Sequence, residues 1–179
     1  MMFPLFARKP RAADTISTLY GMIVAQARLP CFYRDYAVAD TVNGRFEMIV
    51  LHLAMVLDRL ARDADLQRLG QGIFDRFCRD MDHNLREMGI GDLKVPKEMR
   101  RLGEAFYGRS QAYQIAWAAA GDDLLVKALQ KNIYEAEAAA APRLAAYSRA
   151  TLRVLAAQPA QAFAGGALHF PEPAAIAVD

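Results

Sequence analysis

From Arg45 to Arg62 the chain reads RFEMIVLHLAMVLDRLAR, a segment apolar on almost every side. Phe46, Ile49, Val50, Leu53, Val56, Leu57 and Leu60 share one face of a helix, while Met48, Leu51 and Met55 fall on the opposite side. Only Glu47, Ala54 and Asp58 form a narrow, less apolar stripe. A helix this greasy all round has to be enclosed by other helices. It is too short and too interrupted, by Glu47 and His52, to cross a bilayer, which takes about 20 apolar residues. The segment therefore reads as the central helix of an α-helical bundle.

The neighbouring segments supply the surrounding helices. Asp14 is a good N-cap for a helix carrying Ile16, Leu19, Tyr20, Ile23 and Ala27, which should end near Leu29-Pro30. An aromatic-rich loop follows, and Asn43-Gly44 punctuates before the central helix. A third helix is predicted over 64–88, with Leu66, Leu69, Ile73, Phe77, Met81, Leu85 and Met88 as its buried stripe and Gly89 as its stop. After Pro96, the residues Met99, Leu102, Phe106, Tyr113 and Trp117 keep one face across Gly108. The spacing allows one helix or two, and the cost of about 1 kcal/mol for a mid-helix glycine favours a break. Leu125, Leu129 and Ile133 carry another helix, and Leu144, Tyr147, Thr151 and Leu155 the last.

The expected fold is thus an all-α, single-domain bundle of about six to eight helices. It spans 14–157, with irregular tails at 1–13 and, because of Gly165-Gly166, Pro171 and Pro173, at 158–179. Among 179 residues the net charge is only +2, which gives no basic field of the kind DNA or RNA binding wants. Cys31 and Cys78 match no metal spacing and read as reduced thiols. The N-terminus shows no signal-peptide core, and the chain reads as cytoplasmic.

Catalytic motifs are missing. There is no nucleophile elbow, phosphate loop or dinucleotide fingerprint, and the Glu-x-x-His pairs of di-iron bundles are absent. No cofactor, metal or small-molecule substrate is implied. Of the three histidines, His52 sits at the edge of the central helix's apolar face, His83 on a polar face and His169 in the tail. A small haem- or metal-handling protein or enzyme using His52 or His83 stays open as an alternative, as does a structural subunit of a larger assembly.

Four strings carry a resemblance: LYGMIVAQARLPCFY (19–33), DTVNGRFEMIVLHLAMVLDRL (40–60), FDRFCRDMDHNLREMGIGDLKVPKEMRRL (74–102) and AFYGRSQAY (105–113). In order and spacing they resemble the ubiquinol–cytochrome c chaperone family, over about residues 17–135. The resemblance implies binding rather than catalysis. In mitochondria, members work at the ribosomal tunnel exit and, with a small partner protein, hold newly made cytochrome b for respiratory complex III. For this chain, whose composition looks bacterial, it implies an assembly chaperone. Its client would be cytochrome b or another membrane protein, met at the inner face of the cytoplasmic membrane, with contact to the ribosome or the membrane surface.

The residues for gripping a client would be those left outside once the helices have packed. Phe32, Tyr33, Tyr36, Phe106, Tyr107 and Tyr113 are the aromatic candidates. Arginine and aromatic side chains dominate binding hot spots. Arg86 and Asp92 flank the turn after the third helix, and Lys94 and Lys97 open a basic cluster with Arg100 and Arg101. If the helix continued through Gly108, Arg109 would share the face of Phe106 and Tyr113 and would need a buried carboxylate, with Asp92 or Asp40 to serve.

Overall fold

A computed structural model describes residues 12–136 and 138–176. Those residues form one all-α bundle without strands. The expected N-terminal tail, 1–13, lies outside the described residues apart from Ala12 and Ala13, which open the first helix.

Helix α1 (Ala12–Ala27) buries Leu19, Tyr20, Ile23 and Ala27 on the predicted face. It stops where Leu29 turns extended (φ −58°, ψ 131°), as a residue before proline must. Pro30 then starts the five-residue α2 (Pro30–Arg34) inside what reads as a loop, since proline's fixed φ suits a first helical position.

The central helix α3 (Val42–Ala61) begins three residues before the expected start. Thr41 caps it, its Oγ1 accepting from the Gly44 N–H at 3.1 Å. Asn43-Gly44 therefore lie in the first helical turn rather than in a loop. Glycine is needed there because a Cβ would stand 2.0 Å from the Ala39 carbonyl oxygen. Every residue from Glu47 to Val56 is buried, which is what a helix apolar all round requires.

A 3-10 turn at Ala64–Leu66 leads into α4 (Gln67–Glu87), which buries Ile73, Phe77, Met81 and Leu85 and ends before Gly89 at φ +81°. Met88, expected in the buried stripe, is instead 59% exposed, because it caps the helix end where the chain turns. Helix α5 (Val95–Ala118) runs unbroken through Gly108. The expected break is absent: Met99, Leu102 and Phe106 before the glycine and Tyr113 and Trp117 after it pack on one core, and that burial outweighs its cost. Helix α6 (Asp123–Leu129) passes into a π-helical turn, Gln130–Tyr134, closed by Glu135 at φ +58°. Helix α7 (Ala141–Ala157) returns along α3.

Two arginines finish helix ends. Arg149 on α7 donates to the carbonyls of Ala116, Trp117, Ala119 and Gly121 at the end of α5, and Arg59 donates to those of Leu155 and Gln158 at the end of α7. The last carbonyls of a helix lack regular i+4 donors, and a cation suits that end of its dipole. Past α7, a short helix α8 (Ala160–Ala164) and a largely irregular run to Ile176 lie against the bundle, burying Phe163, Leu168 and Pro173.

Candidate partner-binding groove

An open groove of about 480 Å³ lies where the end of α3, the start of α4 and the middle of α5 meet. Helix α3 contributes Leu57 and Ala61; α4 contributes Gln67, Gly70, Gln71 and Phe74; α5 contributes Gly103, Phe106 and Tyr107. None of these side chains is charged. Glycines stand on two of the groove's walls: Gly70 lies against Leu57 and Leu60, and a Cβ at Gly103 would meet nothing within 4 Å. Phe74 and Phe106 of its lining pack with Phe77 as tilted rings, centroids 5.1–6.2 Å apart. Tyr107 stands at the edge, 71% exposed. On the same helix, two turns on, Ile115 is also exposed. A shallow apolar trough rimmed by glutamines fits an amphipathic or apolar helix laid into it.

The aromatic candidates divide sharply. Phe106, 8% exposed, lines the groove, while Phe32, Tyr36 and Tyr113 are sealed in the core, so none of these three can touch a client from where it stands. They are buried because they cluster: Phe32 meets Tyr36, His52 and Tyr147 at 5.0–5.4 Å, and Tyr113 stacks on Trp117 at 5.8 Å. Tyr33 is half-buried, with its hydroxyl donating to the Ala27 carbonyl. Tyr107 alone of the six is freely exposed.

The charged candidates lie elsewhere. Arg86 pairs with Asp82 and Asp92 on the surface, and the pairing holds the Asp82 carboxyl below its ordinary range. Lys94 and Lys97 are exposed at the start of α5, beside Leu93, which is 98% exposed. Arg109 is half-buried, but its partner is neither Asp92 nor Asp40. It forms a two-pronged pair with Glu47, both contacts at 2.6 Å, the Glu47 side chain having no exposure at all. Asp40 instead pairs with Arg45. Burial pushes the Glu47 carboxyl above its ordinary range, and the guanidinium opposes that rise. The stripe that singled out Glu47 on α3 marked this residue, but spacing alone could not match it to Arg109 62 positions away.

His52 is fully buried, and both its ring nitrogens are engaged. Nδ1 lies 2.7 Å from the Met48 carbonyl, which can only accept, so Nδ1 carries the proton. Nε2, 2.9 Å from the Tyr147 hydroxyl, is then the acceptor. Burial lowers the pKa to about 4, so the ring is neutral at ordinary pH and keeps no lone pair free for a metal. His83 is exposed and 3.1 Å from Glu87. Among the described residues no three metal-ligating side chains come together.

The ubiquinol–cytochrome C chaperone family model matches residues 34–170. The chain belongs to that family. A crystal structure of the Cbp3 homolog from Brucella abortus is similar to it, with 37% sequence identity and a TM-score of 0.85, covering 99% of this chain and 100% of that one. No curated protein matches. Membership in this chaperone family implies a protein client. The family match runs past the end of the resemblance read from the sequence, near residue 135, and takes in α7, α8 and the segment after them.

Proposed function

We propose that the chain is an assembly chaperone of respiratory complex III that holds an apolar helix of newly made cytochrome b in the α3–α4–α5 groove. The observation that carries this reading is the groove itself: about 480 Å³, free of charge, with an exposed tyrosine at its lip. Apolar surface on a membrane protein awaiting insertion must be covered, and a trough of this character covers it. Among the described residues no helix is long and apolar enough to cross a membrane. In this reading the chain meets its client at the inner membrane face. Exposed Leu93 beside Lys94 and Lys97 offers a foothold there, an apolar tip flanked by cations for anionic headgroups.

A photoreactive amino acid placed at Tyr107 in living cells tests the reading, with one at exposed Arg153 on α7 as the control. Cytochrome b trapped from position 107 and not from 153 is the expected result. Deleting the gene should lower assembled complex III. Normal complex III in the deletion strain, or equal trapping from both positions, rejects the proposal. Filling the trough with Gly103→Leu, where an added Cβ meets nothing within 4 Å, should abolish trapping while leaving the fold intact.

A further inference from the structure

The segment after α8 carries geometry that the groove does not use. At Gly165-Gly166 the backbone reverses, Gly166 sitting at φ +82°. From Ala167 to Glu172 the chain is irregular, and it closes in a 3-10 turn at Pro173–Ala175. It is nevertheless firmly seated: Leu168 is 2% exposed and Pro173 is buried.

Side chains from three other parts of the fold hold this strap by its backbone. The Tyr36 hydroxyl donates to the Pro173 carbonyl at 2.6 Å, and Gln26 Nε2 to the Pro171 carbonyl at 3.4 Å. The Gln158 amide takes both the N–H and the carbonyl of His169, each at 2.9 Å. Beneath, Phe32, Tyr36, His52 and Tyr147 form an aromatic bed, with Phe170 packed edge-on against His52 at 5.6 Å. The donors are themselves fixed in direction. His52 donates to Met48, Tyr147 donates to His52, and Gln26 donates to Tyr147 at 3.1 Å as well as to the strap.

An extended, proline-bearing backbone whose carbonyls are read by donors standing on aromatic rings is the way prolyl peptides are bound between molecules. Glu172, between the two prolines, lies at φ −68°, ψ 115°, in the extended region such peptides use. We propose that this aromatic cradle is a peptide-binding site for extended, proline-containing protein segments, and that residues 167–176 fill it as an internal ligand. A partner's segment of the same kind competes with the strap, which swings away on Gly165-Gly166. The strap's side-chain hydrogen bonds from the rest of the fold all fall beyond the Gly165-Gly166 turn, which the Ala167 N–H closes onto the Ala162 carbonyl at 2.8 Å. The cradle stands on α1, α2 and the residues just after it, α3 and α7, apart from the groove, so either reading can fail without the other.

The test uses the full chain. Phe170→Ala with Pro173→Gly weakens the strap and leaves the cradle intact. A fluorescent peptide of residues 167–176 is then titrated into wild type and into this variant. The variant should bind it at least about tenfold more tightly, because the internal competitor is weakened. Adding Tyr36→Phe should cost roughly two- to tenfold in affinity, as loss of one hydrogen bond does. A peptide with both prolines changed to alanine should bind several-fold more weakly. Amide exchange on the wild type gives an independent reading: His169 and Ile176 should exchange by local opening while amides within α3 exchange only on global unfolding. Absence of peptide binding by a helical variant, equal binding of the alanine peptide, loss of helicity in the variant, or strap amides that exchange together with α3 would each overturn the proposal.

Discussion

Replacing Arg109 by alanine strands the Glu47 carboxylate. In the native chain that carboxylate has no solvent exposure and receives two hydrogen bonds of 2.6 Å from one guanidinium. Removing one member of a buried pair costs about 3–5 kcal/mol, since the remaining charge keeps its desolvation penalty and loses its compensation. For a domain of this size, each kcal/mol moves the melting temperature by about 2–4 °C, so Arg109→Ala should melt about 6–20 °C below wild type. The double variant Glu47→Met with Arg109→Met removes charge and partner together and should recover most of the loss. Acid should narrow the deficit of the single variant. Burial already pushes Glu47 upward, and without the guanidinium it takes up a proton more readily. Thermal melts of the four-member cycle at pH 7 and pH 5 measure all of this. A shift under about 3 °C for Arg109→Ala, or a double variant as unstable as the single, would show that the pair does not pin α5 to α3.

Other outcomes follow from single positions. Gly108→Ala should stabilise the fold by about 1 kcal/mol, seen as a higher urea midpoint, because the site is mid-helix and a Cβ there meets nothing within 4 Å. Gly44→Ala should cost about 1–3 kcal/mol by the same assay, since its Cβ would stand 2.0 Å from the Ala39 oxygen. His52 has a pKa of about 4 when folded and regains its ordinary value of about 6.5 when unfolded, so between these values the unfolded chain binds the proton more tightly. Its contribution is complete above about pH 6.5 and declines as the pH falls toward 4, by about 3 kcal/mol in all. Urea midpoints from pH 7 to 5 should therefore fall more steeply in wild type than in His52→Gln, and parallel curves would refute the assignment.

Periodicity made the helical faces legible. The stripes of α1, α3, α4 and α7 are buried along most of the residues their spacing marked, because a 3.6-residue repeat translates directly into one packed side; Met88, marked as the end of the α4 stripe, is exposed because the helix has already ended. Local breaker rules served less well. Asn43-Gly44 and Gly108 both read as interruptions, yet a threonine cap absorbs the first into a helix and tertiary burial carries α5 over the second. Long-range pairing was not legible at all: nothing local joins Arg109 to Glu47, or Gln26 and Tyr36 to Pro171 and Pro173. Nor could composition show which aromatics stay outside. Phe32 and Tyr36 lie in a segment that reads as loop, and they are buried because the far C-terminal run and α7 close over them.

Tyr107 and Arg109 are two positions apart on α5, about 200° around its axis at 3.6 residues per turn. One therefore looks outward at the groove's lip while the other is keyed into the bundle through Glu47. The key indexes the helix: α5 cannot spin or slide by a residue without drawing the guanidinium out of its slot. If the groove takes a helix as proposed, a lip set in this way would present it with one pose, the ordering entropy already spent in folding. Capture would then need no rearrangement, and the length of a helix's stay would be governed by how fast it leaves.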